Sequence, residues 1–315
     1  MEDCIIVAKN LAKSYGGTRA LSGIDIVLPK GKSLALVGPD GAGKTTTIRI
    51  LCGFIRPDSG ESRIFGETPG KGKAKSAIGY LSQRFSLYSD LSIDENIAFF
   101  AEIHGVDDYT ARRDRLLEIT RLEPYRERQA GKLSGGMKQK LSLACALVHE
   151  PELILMDEPT TGVDPISRRE FWAIITELIR DGMTVLVATP YLDEAERCDL
   201  VGLLYEGSFL AMDSPAAIKA SLPWKVVEVV CGESRRAARA LSGDAALSSV
   251  QAFGDRLSIL AADLESAELT IRARLGAEAI DIASMRAASP TLENVFMSLV
   301  SGGSKRETGQ GAPAL

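Results

Sequence analysis

The chain of 315 residues is 25% charged and 45% hydrophobic, as ordinary globular proteins are, and can hold one large domain or a large and a small one. Its 37 Lys and Arg against 42 Asp and Glu leave a net charge of −5, which argues against a nucleic-acid-binding surface as its main business. No apolar run approaches a membrane span, the opening MEDCIIVAKN lacks the shape of a signal peptide, and any membrane role would need a separate membrane partner. Cys4, Cys52, Cys145, Cys198 and Cys231 are scattered and without CxxC spacing, and read as buried thiols in a reducing cytosol.

Ile5 and Val7, then Ile24, Ile26 and Leu28, alternate as strands do. A turn at Pro29-Lys30-Gly31-Lys32 precedes the apolar strand 33–37, and GPDGAGKTT follows, leading into a helix over 44–52. Strand, Gly-rich loop and helix are the context in which GxxxxGK[ST] reads as a phosphate cradle. Gly38, Gly41 and Gly43 let the backbone turn tightly between Pro39, Asp40, Ala42 and Thr46, pointing N–H groups at one centre. Lys44 would reach the β- and γ-phosphates and the Thr45 hydroxyl would hold Mg²⁺.

The turn 56–60 ends this helix, and 63–65 and 78–81 read as short strands. From Gln83 the pattern becomes helical. Ser92 and Glu95 have capping-box spacing, Ile97, Phe100, Ala101 and His104 follow at helical spacing, and a charged helix covers 110–121. This makes a helical insertion over about residues 84–150. The run ELILMD, 152–157, is an unbroken buried strand; Asp164-Pro165 caps a helix to about Arg180; and 184–189, 192–198, 199–204 and 208–212 read as strand, helix, strand and strand. Residues 1–222 thus form an α/β domain with a largely parallel sheet, and a boundary falls at Ser221-Leu222-Pro223. Over 224–300 the order is strand (225–231), helix (235–241), strand (249–253), strand (256–260), helix (264–275), strand (279–284), a small α+β domain of ferredoxin-like order. A last amphipathic helix, 291–300, carries Leu292, Val295, Phe296 and Leu299 on one face, and 301–315 reads as a disordered tail.

The insertion contains LSGGMKQ, 133–139. Ser134, Gly135 and Gly136 stand where a helix over 137–149 begins, a second terminus ready for an anion. Two such sites far apart in one chain are most economically explained by two copies in antiparallel pairing, each helix end capping the nucleotide held by the other's loop.

With these motifs the chain resembles the nucleotide-binding subunit of an ATP-binding cassette (ABC) transporter. GPDGAGKTT matches the Walker A loop, LSGGMKQ the ABC signature and LILMDE the Walker B strand, and the likeness covers nearly all of 5–220. The resemblance implies a P-loop NTPase fold of ABC type with a helical subdomain insertion, and ATP and Mg²⁺ as cofactors. It implies that Asp157 holds Mg²⁺ through water, that Glu158 is the general base, and that Gln83 senses Mg²⁺ and water and links to the membrane partner. Tyr15, in KSYGG, would stack on adenine, and Gly162-Val163-Asp164 would be the D-loop that reaches across the dimer. The implied partners are a separate transmembrane permease and a second cassette, identical or not, at the cytoplasmic face of the cell membrane.

One position departs from that pattern. Where the family has its switch histidine, in a phrase like ATHYLDEAE, this chain has Pro190, which offers neither an imidazole nor a backbone N–H. His104 and His149 cannot substitute by position and read as surface or packing residues. Losing one γ-phosphate contact should cost rate more than binding, so the site is expected to be slow or asymmetric. TGVDPISRREFW, YLDEAERCD and SPTLENVF are similar to drug-resistance-type exporter subunits, which implies that ATP binding drives dimerisation and hydrolysis resets it. The rival readings are a regulatory ATP clamp whose partner hydrolyses, and a soluble ABC ATPase outside transport.

Overall fold

The computed structural model describes residues 4–83 and 87–307, with side chains of the last helix described to residue 301. They fall into two compact units, Met1–Ser214 and Pro215–Leu315, dividing a few residues ahead of the boundary expected at Leu222. No helix among the described residues is long and apolar enough to cross a membrane.

In the first unit, β1 (Cys4–Tyr15) and β2 (Thr18–Pro29) form an antiparallel hairpin whose turn, Gly16-Gly17, has both φ angles positive. β3 (Ser33–Val37) is buried at every residue, and α1 (Lys44–Leu51) follows it. β4 (Ser59–Ile64) pairs with β1 and starts before the expected 63–65. Gly60, with φ +85°, lets the two backbones approach; a Cβ there would lie 2.2 Å from the Asn10 carbonyl oxygen. After α2 (Lys73–Ser76) and β5 (Ile78–Leu81) comes the helical insertion, α3 (Ile93–Ile103), α4 (Thr110–Thr120) and α5 (Gly135–Leu147). Its expected start at 84 lies outside the described residues. The capping box at α3 forms: Glu95 N–H donates to Ser92 Oγ and Ser92 N–H to Glu95 Oε2. α5 starts two residues before the expected 137, because Ser134 is its N-cap and accepts from the Met137 N–H at 3.3 Å.

β6 (Leu153–Asp157), α6 (Pro165–Arg180), β7 (Thr184–Thr189), α7 (Leu192–Ala195), β8 (Leu200–Tyr205) and β9 (Ser208–Asp213) complete the unit. The main sheet is ordered β5-β6-β7-β3-β8-β9, parallel except for β9 against β8. β3, β6 and β7 are buried along their whole length, which is why each is apolar at every residue between polar ends (Ser33, Asp157, Thr184 and Thr189) rather than alternating. Leu36, Ile48, Leu155 and Leu186 belong to one core with Ile6 and Ile26 of the smaller β2-β1-β4 sheet.

The second unit opens with α8 (Pro215–Ala220), followed by β10 (Lys225–Cys231), α9 (Ser234–Leu241), β11 (Leu247–Phe253), β12 (Arg256–Ala261), α10 (Leu264–Ala277), β13 (Ile282–Ala288) and α11 (Leu292–Glu307). Its antiparallel sheet is ordered β11-β12-β10-β13. Val227, Val229, Leu257 and Ile259 pack with Ala237, Leu241, Ala267 and Ile271 of α9 and α10 in a separate core. The alternating residues face the other way: Glu228 accepts from Arg256 and Arg286, and Asn294 of α11 donates to Ser258 Oγ at 2.9 Å. β13 starts later than the expected 279, because α10 runs on to Ala277 and Ala279 turns with φ +54°. α11 packs on α8 and continues past 300 to Glu307, so the segment expected as a disordered tail from 301 begins as helix; 308–315 lie outside the described residues.

All five cysteines are free, and burial raises the thiols of Cys52 and Cys198 to about 12, far from nucleophilic at neutral pH. His104 and His149 stack on each other with ring centroids 3.8 Å apart, and His149 Nε2 lies 3.1 Å from the Ile78 carbonyl oxygen. Burial, then His104 and Arg112, push His149 down to about 4. A histidine with a depressed pKa is neutral in both states at pH 7, but below its ordinary value of 6.5 the unfolded chain binds a proton that the folded one refuses. Folding stability should therefore fall as pH drops from about 6.5 towards 4. His149→Phe, which keeps a flat ring for the stack, should flatten that part of the curve in urea denaturation at stepped pH.

Candidate functional site

The parallel sheet brings the carboxyl ends of β3, β7 and β6 side by side, the place where open α/β sheets hold ligands. From the end of β3 the chain turns through Gly38 to Gly43. A Cβ on Gly38 would lie 2.0 Å from the Leu204 carbonyl oxygen, and one on Gly43, where φ is +108°, would lie 2.5 Å from that of Ala20. Gly43 is the N-cap of α1 and no side chain caps the helix, so its first N–H groups are left for an anion.

Lys44 is only 4% exposed. Its ammonium donates to the carbonyls of Gly38 (2.8 Å) and Pro39 (3.0 Å) and lies 3.5 Å from Glu158 Oε1. Thr45 Oγ1 donates to Asp157 Oδ1 at 2.9 Å. Burial, and then the neighbouring Glu158, raise the Asp157 carboxyl above its ordinary pKa despite that bond. Two adjacent carboxylates and a hydroxyl, partly withdrawn from water, form a hard oxygen set that suits a divalent cation such as Mg²⁺.

Glu158 stands in the left-handed region with φ +49°, a conformation that costs a non-glycine residue about 1–3 kcal/mol and persists only where the surroundings impose it. Its N–H donates to the Ala188 carbonyl at 2.8 Å, and its Oε2 accepts from Gln83 Nε2 (3.2 Å) and Thr161 Oγ1 (3.1 Å). Glu158, Gln83, Tyr15 and residues 40–46 line one open cleft, with Tyr15 47% exposed at its rim.

Ser134, Gly135, Gly136 and Asp164 do not line that cleft. They meet each other instead: a Cβ on Gly136 would lie 2.4 Å from Ser167, in the first turn of the helix that Asp164 caps. Asp164 Oδ1 accepts from the N–H groups of Ser167 (3.0 Å) and Ile166 (3.1 Å), which hold its carboxyl below the usual range. Gly135 faces open space. Pro190 follows β7 directly, where the Tyr191 N–H donates to Thr189 Oγ1 at 3.1 Å. Arg19, also in the cleft, and Thr161 are polar groups that no motif marked; Arg19 comes to the cleft through the first hairpin, where it stands opposite Ser14.

An anion-ready helix end with a buried lysine beside paired carboxylates defines a P-loop nucleotide-binding protein. The family model described as ABC transporter matches residues 21–161. The Probable multidrug ABC transporter ATP-binding protein YbhF of Escherichia coli is 46% identical over 69% of this chain, which spans 39% of YbhF's length. The linearmycin resistance ATP-binding protein LnrL of Bacillus subtilis is 33% identical over 94% of this chain and 98% of its own. Among solved structures, the ATP-binding cassette MJ0796, a dimer in a post-hydrolysis state bound to ADP and Pi, is 26% identical, with a TM-score of 0.59 over 66% of this chain and 98% of that one. The chain belongs to the ATP-binding proteins of ABC transporters.

The raised Asp157 carboxyl carries a stability consequence. A carboxylate with a raised folded pKa destabilises the fold wherever it is ionised, and the effect vanishes once both states are protonated at low pH. Asp157→Asn retains an acceptor for Thr45 and removes the charge. It should raise the melting temperature of the nucleotide-free protein at pH 7.5, with the gain shrinking as pH falls through the ordinary carboxylate range.

Proposed function

We propose that the chain is the ATPase subunit of an ABC exporter, working with a second cassette and a separate transmembrane permease at the cytoplasmic face of the cell membrane. The observation that carries the reading is the array of Lys44, Thr45, Glu158 and Gln83 at one cleft, with Asp157 joined to it through Thr45. The name of YbhF supports the transport role, and the Nod factor export ATP-binding protein I of Rhizobium, 33% identical over 95% of this chain, supports the export direction.

In this reading residues 38–46 wrap the triphosphate, Lys44 sets its positive charge against the β- and γ-phosphates, and Tyr15 takes the adenine face. Thr45, Asp157 and Gln83 would hold Mg²⁺, which supplies positive charge that neutralises the phosphate oxygens. Glu158, steered by Gln83 and Thr161, accepts a proton from the attacking water; the water oxygen bonds to the γ-phosphorus as the bond to ADP breaks. The start of α5, exposed at Ser134 and Gly135 and packed on Ser167 at Gly136, serves the nucleotide held by the second cassette, with Asp164 beside it. ATP thereby joins the two cassettes, and its hydrolysis lets them part.

Pro190 tempers the hydrolysis. It stands at the end of β7 without a donor for the γ-phosphate, and removal of one such donor typically costs about 100- to 1,000-fold in rate. A regulatory clamp, in which a partner cassette hydrolyses, is the second reading that Pro190 favours, and single-turnover measurements at each site of the assembled complex separate the two. For the purified chain, Lys44→Ala should weaken a fluorescent ATP analogue by about 10- to 100-fold, the worth of a charge-assisted hydrogen bond. Glu158→Gln should keep binding and lose hydrolysis. Pro190→His should raise turnover by about tenfold or more. Turnover of several per second in the unaltered chain, unchanged by Pro190→His, contradicts the assignment of a slow site.

A further inference from the structure

Glu194, on α7, is 1% exposed and lines no part of the cleft, yet its carboxylate joins three elements that do the site's work. Oε1 accepts from Thr160 Oγ1 at 2.6 Å, in the turn that carries Glu158. Oε2 accepts from Thr189 Oγ1 at 2.5 Å, the last residue of β7 before Pro190. Arg168 of α6, one turn past Asp164, brings its Nε to 3.6 Å from Oε1. That guanidinium is itself fixed by Asp193 at 2.7 Å and by the Tyr191 ring, 4.4 Å from its Cζ.

A fully buried carboxylate is costly unless every oxygen has a partner, and here each oxygen has a hydroxyl and the charge has an arginine. The arrangement does more than satisfy itself. The left-handed Glu158 is pinned to β7 by one backbone bond, Glu158 N–H to the Ala188 carbonyl. Glu194 supplies a second tie between the same two segments, two residues further along the turn and one further along the strand. Thr189 Oγ1 also accepts from the Tyr191 N–H, so the same carboxylate sets the turn in which Pro190 stands. Strained residues at functional sites hold their geometry only where neighbours over-determine it, and this is the neighbour that closes the loop.

We propose that Glu194 is a positioning residue for hydrolysis: by bridging Thr160 and Thr189 it holds Glu158 in its left-handed conformation, aimed at the attacking water. The proposal rests on the reading of the cleft as an ATPase site. Glu194 is buried and outside the cleft lining, so its loss acts on the chemical step and spares binding. The phosphate loop and Lys44 are held by other contacts, and Tyr15 by its pairing with Thr18 in the first hairpin.

The test is steady-state ATP hydrolysis and ATP-analogue binding by Glu194→Gln, Thr160→Val and Thr160→Ser, with thermal midpoints recorded for each. Glu194→Gln and Thr160→Val should each lower kcat by about 10- to 100-fold, the effect of a small misplacement of a reacting group. KM and analogue affinity should stay close to those of the unaltered chain even where the midpoint falls, and Thr160→Ser, which keeps the hydroxyl, should retain most of kcat. Thr160→Val is the milder change and decides the matter if Glu194→Gln does not fold. The proposal is overturned if Thr160→Val leaves kcat unchanged, or if kcat and affinity fall together at a temperature where the variant is folded, as in a merely structural loss. Failure of the ATPase reading looks different: the unaltered chain and Glu158→Gln would then show the same turnover, and the positioning role would fall with it.

Discussion

The buried Lys44 ammonium is the contact on which the larger unit's chemistry depends. A cation almost out of water is tolerable only with partners at hydrogen-bond distance, and it has the carbonyls of Gly38 and Pro39 and the carboxylate of Glu158. These partners come from the ends of β3 and β6, which are not neighbours in the sheet. β7 lies between them. The lysine therefore reaches across the end of β7, and with Thr45 on Asp157 it ties the loop after β3 to the carboxylates after β6. Glu158 in turn is bonded to β7 by its N–H on the Ala188 carbonyl.

That geometry gives Pro190 its weight. It directly follows β7, in the middle of the arrangement, at the position where relatives of this family would be expected to carry a histidine. A proline there has a fixed φ and nothing to donate, while the turn around it is tied by Thr189, Tyr191 and Glu194. The site thus combines a strained, firmly held Glu158 with a stiff, chemically silent switch position. Such a site would bind its nucleotide well and spend it slowly.

Much of this was legible in the chain because its determinants are local. Gly38 and Gly43 had to be glycine for backbone reasons, Ser92 with Glu95 and Asp164 before Pro165 are caps written within a few residues, and β3, β6 and β7 are apolar between their ends because both faces are covered. The misplaced boundaries share a cause. β4 begins at Ser59 and β13 at Ile282 because of pairing with strands remote in sequence and of turns at Gly60 and Ala279, which periodicity within the segment does not contain. Glu194 could not be found from sequence at all. Its partners, Thr160 and Thr189, lie in separate segments, and in YLDEAE it looks like one more charge on a short helix. The stacking of His104 on His149 was hidden likewise, since α3 and α5 bring them together only on folding.

The central claim is that the cleft is half of a nucleotide site completed by a second cassette, whose contribution is the exposed start of α5. Sedimentation of the Glu158→Gln chain tests it most directly, because that variant should hold ATP without consuming it. That variant should be a monomer without nucleotide or with ADP, and a dimer with ATP and Mg²⁺. The dimer should disappear on Gly135→Asp, a change that meets open space in the single chain. A protein that binds ATP and stays monomeric at saturation, or a dimer indifferent to Gly135→Asp, would contradict it.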